Sequence, residues 1–226
     1  MIKFKNVSKR YGEVAALDKA SFKISSGEFL FITGPSGSGK TTIIRLILRE
    51  IFPSSGKIEV DGIDLSQLPT KKVPDLRRKI GVVFQDFKLL PDQTVFENVA
   101  LALKVLGKDE AEIEKEVGNV LKLVDLADRA DFFPAQLAGG ELQRTCLARA
   151  VVSKPKIVLA DEPTGNLDIA SGWQITKLLK EINKLGKTVV IATHNFEIVD
   201  SLKARVIELD KGKVISDKEK GKYKVK

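Results

Sequence analysis

One cysteine, one histidine and an aromatic fraction of 6% leave this 226-residue chain with few of the residues that staple or stack small proteins. Cys146 alone cannot form an internal disulfide, which fits a reducing compartment. No stretch approaches the 18 or so consecutive apolar residues of a membrane span. The densest patch, Ile43-Ile44-Arg45-Leu46-Ile47-Leu48, already carries a charge. The start, Met1-Ile2-Lys3-Phe4-Lys5-Asn6, lacks the apolar core of a signal peptide, which argues against export. Internal repeats and heptad runs are absent. Low complexity is confined to a lysine-rich end.

What is present is the composition of a folded α/β protein, 43% hydrophobic and 30% charged, which excludes disorder as the dominant state. The formal net charge of +8 raises the question of an anionic partner, but residues 211–226 hold seven lysines against Asp217 and Glu219. That end carries +5, leaving +3 for residues 1–210. A basic tail of this kind is a solvated end or an electrostatic hold on anionic lipid, at roughly 1 kcal/mol per lysine close to the surface.

Short β-rich runs alternate with longer helical patterns, the order that predicts an α/β fold with a largely parallel sheet. Segments 29–33, 81–84, 157–160 and 188–192 are nearly continuous apolar runs, as expected of central strands covered on both faces. Segments 57–63 and 206–215 alternate and contain Gly turns, so both read as peripheral antiparallel elements. Between about 86 and 150 no strong strand pattern occurs. Ile113, Val117, Val120, Leu121 and Val124 recur on one helical face there, which predicts an inserted helical subdomain. The expected organisation is a single domain with an α/β core over 1–85 and 151–212, helices over 86–150, and a C-terminal strand and basic tail over 213–226.

After the first of those apolar runs comes Gly34-Pro35-Ser36-Gly37-Ser38-Gly39-Lys40-Thr41-Thr42, followed by a helical pattern. This is a P-loop between strand and helix. Its glycines let backbone N–H groups turn inward around phosphate oxygens, and the helix N-terminus adds a favourable dipole. Lys40 supplies a charge for the β- and γ-phosphates, and Thr41 a hydroxyl for Mg²⁺. A second apolar run stops at Asp161-Glu162. Asp161 is placed to join the metal shell and Glu162 to act on an attacking water, since phosphoryl transfer asks mainly for positioning and charge stabilisation.

Further along, Gln85 ends a strand, Leu137-Ala138-Gly139-Gly140-Glu141 opens a helical run, and Asn166-Leu167-Asp168 and His194 follow apolar segments. With the P-loop, this order resembles the ATP-binding cassette (ABC) ATPases over about residues 1–212. The resemblance implies a P-loop NTPase core of the RecA-like kind, with an antiparallel β part and an inserted helical subdomain. It also implies ATP hydrolysis with Mg²⁺, Gln85, Glu162 and His194 serving as catalytic groups. Gln85 is then the Q-loop glutamine, able to reach the metal or water shell, and Tyr11 the ring against adenine. Residues 137–141 resemble the signature motif, which in this family closes on ATP held by a second chain. Asp168 belongs to the D-loop. A homodimer sandwiching two ATP is therefore implied by the family, with Ala138, Gly139, Gly140, Glu141 and Asp168 among its nucleotide contacts. Ala138 departs from the family, where serine is usual. One hydrogen bond to a charged group, worth about 1.5–3 kcal/mol, is missing there.

Within the family, segment 82–99 is similar to the cell-division branch, notably Asp86-Phe87 and Thr94-Val95-Phe96-Glu97-Asn98-Val99. That branch implies the membrane protein FtsX as partner, peripheral association with the cytoplasmic face of the cell membrane, and regulation of cell-wall hydrolases. Phe87, Leu89 and Leu90 are then candidates for the docking surface. Segment 159–168 is shared with ATPases of lipoprotein release and macrolide export, which form the alternative. A DNA-associated ABC ATPase fits less well and no nucleic acid is expected: Leu137 comes 52 positions after Gln85, too close to enclose long coiled coils.

Overall fold

The computed structural model describes residues 1–219; the basic tail beyond them, 220–226, lies outside the described residues. Among the described residues ten strands and seven α-helices follow one another as β1 (Ile2–Tyr11), β2 (Val14–Ile24), β3 (Phe29–Thr33), α1 (Lys40–Ile47), β4 (Ser55–Val60), β5 (Ile63–Asp64), α2 (Val73–Arg77) and β6 (Ile80–Val83). There follow α3 (Val95–Lys104), α4 (Glu110–Leu123), α5 (Gly139–Val151), β7 (Ile157–Asp161), α6 (Ile169–Lys184), β8 (Thr188–Thr193), α7 (Phe196–Leu202), β9 (Arg205–Asp210) and β10 (Lys213–Lys218).

Two sheets result. The larger has the order β10-β9-β3-β8-β7-β6, and its strands from β9 to β6 run parallel. Its apolar runs are continuous because each strand feeds two cores in alternation. Leu30 and Ile32 of β3, Ile157 and Leu159 of β7, and Val190 and Ala192 of β8 face one core. Phe31, Val158, Ala160, Val189 and Ile191 face the other. The first core also takes Ile43, Ile44, Leu46 and Ile47 of α1 and the inner faces of the second sheet, β2-β1-β4-β5. That smaller sheet is antiparallel throughout. Helices α3 to α7 contribute to the second core.

The periodicity read at Ile113, Val117, Val120, Leu121 and Val124 corresponds to α4 and its C-cap, and all five side chains are buried. Asp109 caps the helix by accepting the Glu112 N–H. Helix α3 starts at a full capping box in which Thr94 and Glu97 exchange side-chain and backbone bonds. Among the described residues no strand lies between Val83 and Ile157.

One strand reading is corrected. Segment 206–215 divides at Lys211-Gly212, whose φ values of 45° and 79° make the tight hairpin turn that returns β10 antiparallel to β9. Strand β9 itself lies parallel to β3, inside the large sheet. Its Val206, Ile207 and Leu209 are buried, and they divide between the two cores. The antiparallel reading holds for β4 and β5, joined at Asp61 and Gly62.

Candidate active site

The P-loop joins β3 to α1 and turns at Gly34, Gly37 and Gly39, whose φ values of 147°, 76° and 108° are open to glycine and strained for other residues. At Gly34 a Cβ would strike the Leu209 carbonyl, and at Gly39 the Ala16 carbonyl and the Leu17 side chain. Gly39 is also the N-cap of α1 and has no side chain to occupy the helix start. The loop is therefore packed from behind by β2 and β9 while its inner face stays free for a ligand.

Within this cradle the Lys40 ammonium, almost fully buried, donates to the Gly34 carbonyl at 2.8 Å and to the Pro35 carbonyl at 3.1 Å. It also lies 3.4 Å from Glu162 Oε1. The same Oε1 is 2.9 Å from His194 Nδ1, and the His194 backbone N–H donates to Glu162 Oε2 at 3.3 Å. Glu162 stands just past β7 and His194 just past β8. Because these strands are parallel neighbours, both side chains emerge at the carboxyl edge of the sheet, where ligands of α/β proteins bind. Glu162 holds a left-handed backbone, φ 48°, a conformation that strains a residue with a Cβ.

The Thr41 hydroxyl donates to Asp161 Oδ1 at 3.2 Å. Burial pushes the Asp161 carboxyl above its ordinary range; the Thr41 bond works against that, and the neighbouring Glu162 charge adds to it. Asp161 does not itself line the cavity over the loop, but a buried carboxylate bonded to the hydroxyl of the cradle residue Thr41 suits a hard cation that takes oxygen ligands. Among the described residues no three His, Cys, Asp or Glu side chains cluster at metal-binding distance. A cation here would draw most of its shell from phosphate and water, as Mg²⁺ readily does.

The cavity over the loop, about 680 Å³, is lined by Ala16, Pro35 to Gly37, Gly39 to Thr42, Gln85, Glu162 and His194. Ser38, also predicted, is buried, and among the described residues its hydroxyl has no hydrogen-bond partner. Gln85 is turned toward Asn166: its Nε2 donates to Asn166 Oδ1 at 3.4 Å, and Asn166 Nδ2 donates to the Gln85 carbonyl at 3.0 Å. Ala16 was missed in the sequence and carries no motif signal; only the antiparallel pairing of β2 brings it to the cavity.

Other predicted residues do not line this cavity. Tyr11 is exposed at the end of β1 under Lys9, whose Nζ is 4.9 Å from the ring centre. Ala138, Gly139, Gly140 and Glu141 form the start of α5. The Glu141 carboxylate accepts the Ala138 N–H at 2.8 Å, which is half of a capping box; alanine has no oxygen to complete the other half. Asp168 caps α6, accepting the Ser171 N–H at 2.9 Å and the Ser171 hydroxyl at 2.6 Å.

A P-loop after β3 of a parallel sheet, with acids at the end of β7 two strands away and a second glycine-bearing helix start elsewhere on the chain, defines a cassette-type ATPase. The family model for the ABC transporter matches residues 17–165, and this chain belongs to that family. It is 51% identical, over 99% of its length and 98% of the relative's, to the cell division ATP-binding protein FtsE of Bacillus subtilis strain 168. It is 46% identical to FtsE of Escherichia coli K12, over 94% of the chain and 96% of the relative. Among solved structures it matches a dimeric ATP-binding cassette in a post-hydrolysis state bound to ADP and Pi. That match has a TM-score of 0.89 and 38% identity, and covers 99% of this chain and 100% of the other. The chain is thus an ABC-type, nucleotide-binding ATPase similar to the FtsE proteins, and the sequence resemblance to the cell-division branch is upheld. Solved dimers of such cassettes support a homodimer. Among the described residues no helix is long and apolar enough to cross a membrane.

Proposed function

We propose that this ATPase works with the membrane protein FtsX at the cytoplasmic face of the cell membrane, closing as an ATP-bound homodimer and passing its change of shape to cell-wall hydrolases. The full-length similarity to FtsE proteins supports this reading over lipoprotein release or macrolide export. The observation that carries it is an open groove of about 620 Å³ beside the Gln85 loop. Phe84, Lys88 and Leu90 of that loop line it, together with Leu101 and Val105 from α3 and its C-cap. A partner seated there touches the same loop that carries Gln85 to the nucleotide. Coupling needs such a contact, because a partner indifferent to the nucleotide state would receive no free energy from ATP.

In this reading Thr41 and Asp161 hold Mg²⁺, which when bound offsets charge on the β- and γ-phosphates. The Lys40 ammonium turns from the Gly34 and Pro35 carbonyls to the phosphates and so leaves Glu162. Freed of that cation, the Glu162 carboxylate accepts a proton from the attacking water, whose oxygen bonds the γ-phosphorus as the bridging bond breaks and ADP leaves; His194 would orient Glu162, and Gln85 would face the water or metal. The Lys40→Ala variant should lose tight Mg-ATP binding, while Glu162→Gln keeps it and stops turnover. Calorimetry and phosphate release check both; unchanged affinity in Lys40→Ala overturns the site.

Of the docking candidates Phe87, Leu89 and Leu90 expected from the sequence, Leu90 lines this groove and the other two do not. Phe87 and Leu89 are half-buried and pack against the helical core, whereas Leu90, Leu101 and Val105 are 42%, 38% and 62% exposed. Leu101→Glu and Val105→Glu should therefore lose FtsX on co-purification and fail to complement division, with Mg-ATP affinity unchanged. Folded variants that still capture FtsX and support division would move the docking surface elsewhere.

A further inference from the structure

Immediately after Gln85 the chain adopts a costly shape. Phe87 and Lys88 are successive non-glycine residues with φ values of 57° and 50°, and the Lys88 N–H turns back to the Asp86 carbonyl at 2.6 Å. L-residues avoid this left-handed region, so two in a row persist only where surroundings over-determine them.

One face of α5 provides that constraint. Gln143 Nε2 reaches the Phe84 carbonyl at 3.5 Å, the Cys146 thiol donates to the Phe87 carbonyl at 3.0 Å, and Arg149 spans the turn. Arg149 Nη1 donates to the Lys88 carbonyl at 2.7 Å and Nη2 to the Phe87 carbonyl at 2.9 Å. The three residues are spaced by three, which puts them in one row along the helix. Arg149 is the strongest of the grips, since a charged fork with two short bonds fixes direction as well as distance. Burial also pushes its guanidinium pKa down, the mark of a cation drawn out of water to make these contacts.

We infer that Arg149 is a positioning residue for hydrolysis: it locks the strained turn onto α5, so that Gln85 at the nucleotide and the first turn of α5 move as one body. The turn lies between them in the chain's own geometry. Gln85 lines the P-loop cavity, whereas Gly139 and Gly140 open the helix that grips the turn. For the second half of this statement the inference rests on the proposed ATP sandwich, in which that helix start meets the partner's nucleotide.

The test uses the full chain with Arg149→Gln, Arg149→Lys and the double variant Arg149→Gln, Lys88→Gly. Arg149→Gln should hold KM and Mg-ATP affinity within about twofold while kcat falls about tenfold, the pattern of a lost transition-state contact. Arg149→Lys should fall between, because an ammonium cannot reproduce the fork. Glycine at 88 relieves the backbone strain, so the double variant should recover several-fold of the lost kcat. A merely structural Arg149 would show no such rescue. In a Glu162→Gln background, Arg149→Gln should also reduce the ATP-dependent dimer fraction in sedimentation; if Glu162→Gln alone does not dimerise, the sandwich reading fails and the kcat arm still decides. Wild-type kcat in folded Arg149→Gln overturns the inference, as does a double variant no faster than the single one. Should Arg149→Gln not fold, wild-type kcat in Arg149→Lys overturns it equally.

Discussion

Ala138 shows how a single missing oxygen acts on two quantities at once. The Glu141 carboxylate already accepts the Ala138 N–H, so Ala138→Ser would complete the box by giving the helix start an acceptor. A supplied N-cap is worth about 1 kcal/mol. For a domain of this size that is a rise in Tm of about 2–4 °C. The same hydroxyl, at a helix start that the proposed dimer presents to nucleotide, should raise the ATP-dependent dimer fraction or the turnover rate. Thermal unfolding and sedimentation separate the two effects: a higher Tm with an unchanged dimer and rate would mean that serine only caps. At Asp161 the balance runs the other way, since burial disfavours its charge. Asp161→Asn keeps the shape and the Thr41 contact and removes the buried charge, so the nucleotide-free variant should melt higher while losing hydrolysis. Each kcal/mol relieved corresponds to about 2–4 °C. A lower Tm for Asp161→Asn would show that the Thr41 and Lys40 interactions outweigh desolvation. The P-loop and the Asp161-Glu162 pair were legible because their spacing is local. The contact of Glu162 with His194, 32 positions on, needed the parallel pairing of β7 and β8 before it had any meaning.

Elements were legible in proportion to the regularity of their period. The four apolar runs became β3, β6, β7 and β8 because continuous burial leaves no room for an alternative reading. Strands β1 and β2 escaped notice for a physical reason. Their register shifts between Phe4 and Val7 and again toward Arg10, with Asn6 at φ 48°, and each shift breaks the alternation that marks a strand. In the sequence β9 reads as a peripheral antiparallel element because its hairpin with β10 is conspicuous there and its pairing with β3 is not. Beyond the pairing of β9 with β3, Arg205 of β9 ties β10 to the body, with Nε and Nη2 each 2.7 Å from Asp217 of β10 and Nη1 2.7 Å from Glu28. The Asp217 bonds, then those to Glu28, hold the guanidinium pKa above its ordinary value. Arg205 is mostly buried and Asp217 about one-third exposed, so the pair falls between surface and interior ion pairs. Asp217→Asn should therefore cost about 1–2 kcal/mol in urea unfolding and release β10 to proteolysis before the rest of the chain. Unchanged protease sensitivity at β10 would show that its backbone pairing with β9 suffices.

For the whole molecule, the charge arithmetic takes on meaning once β10 is in place. The lysine-rich end divides into a strand, Lys213–Lys218, that belongs to the sheet and a remainder beyond Glu219. Removing residues 213–226 lowers the net charge by four, and so does removing 220–226, because Lys213 and Lys218 are balanced by Asp217 and Glu219. The two truncations are thus matched in charge and differ in whether β10 and its tie to Arg205 survive. The shorter one keeps β10. If the basic end helps hold the protein at an anionic membrane face, deleting 220–226 should leave ATP turnover unchanged. Binding to acidic vesicles should fall roughly tenfold or more, since each lysine near such a surface is worth about 1 kcal/mol. The difference between the two chains should shrink in salt, where the Debye length drops from about 10 Å at 0.1 M to about 3 Å at 1 M. Deleting 213–226 should reduce vesicle binding no further, yet lower the melting temperature through the loss of β10. Equal vesicle binding by the full chain and the 219-residue chain at low salt would remove the tail from membrane attachment and leave the proposed groove contact with FtsX as the sole hold.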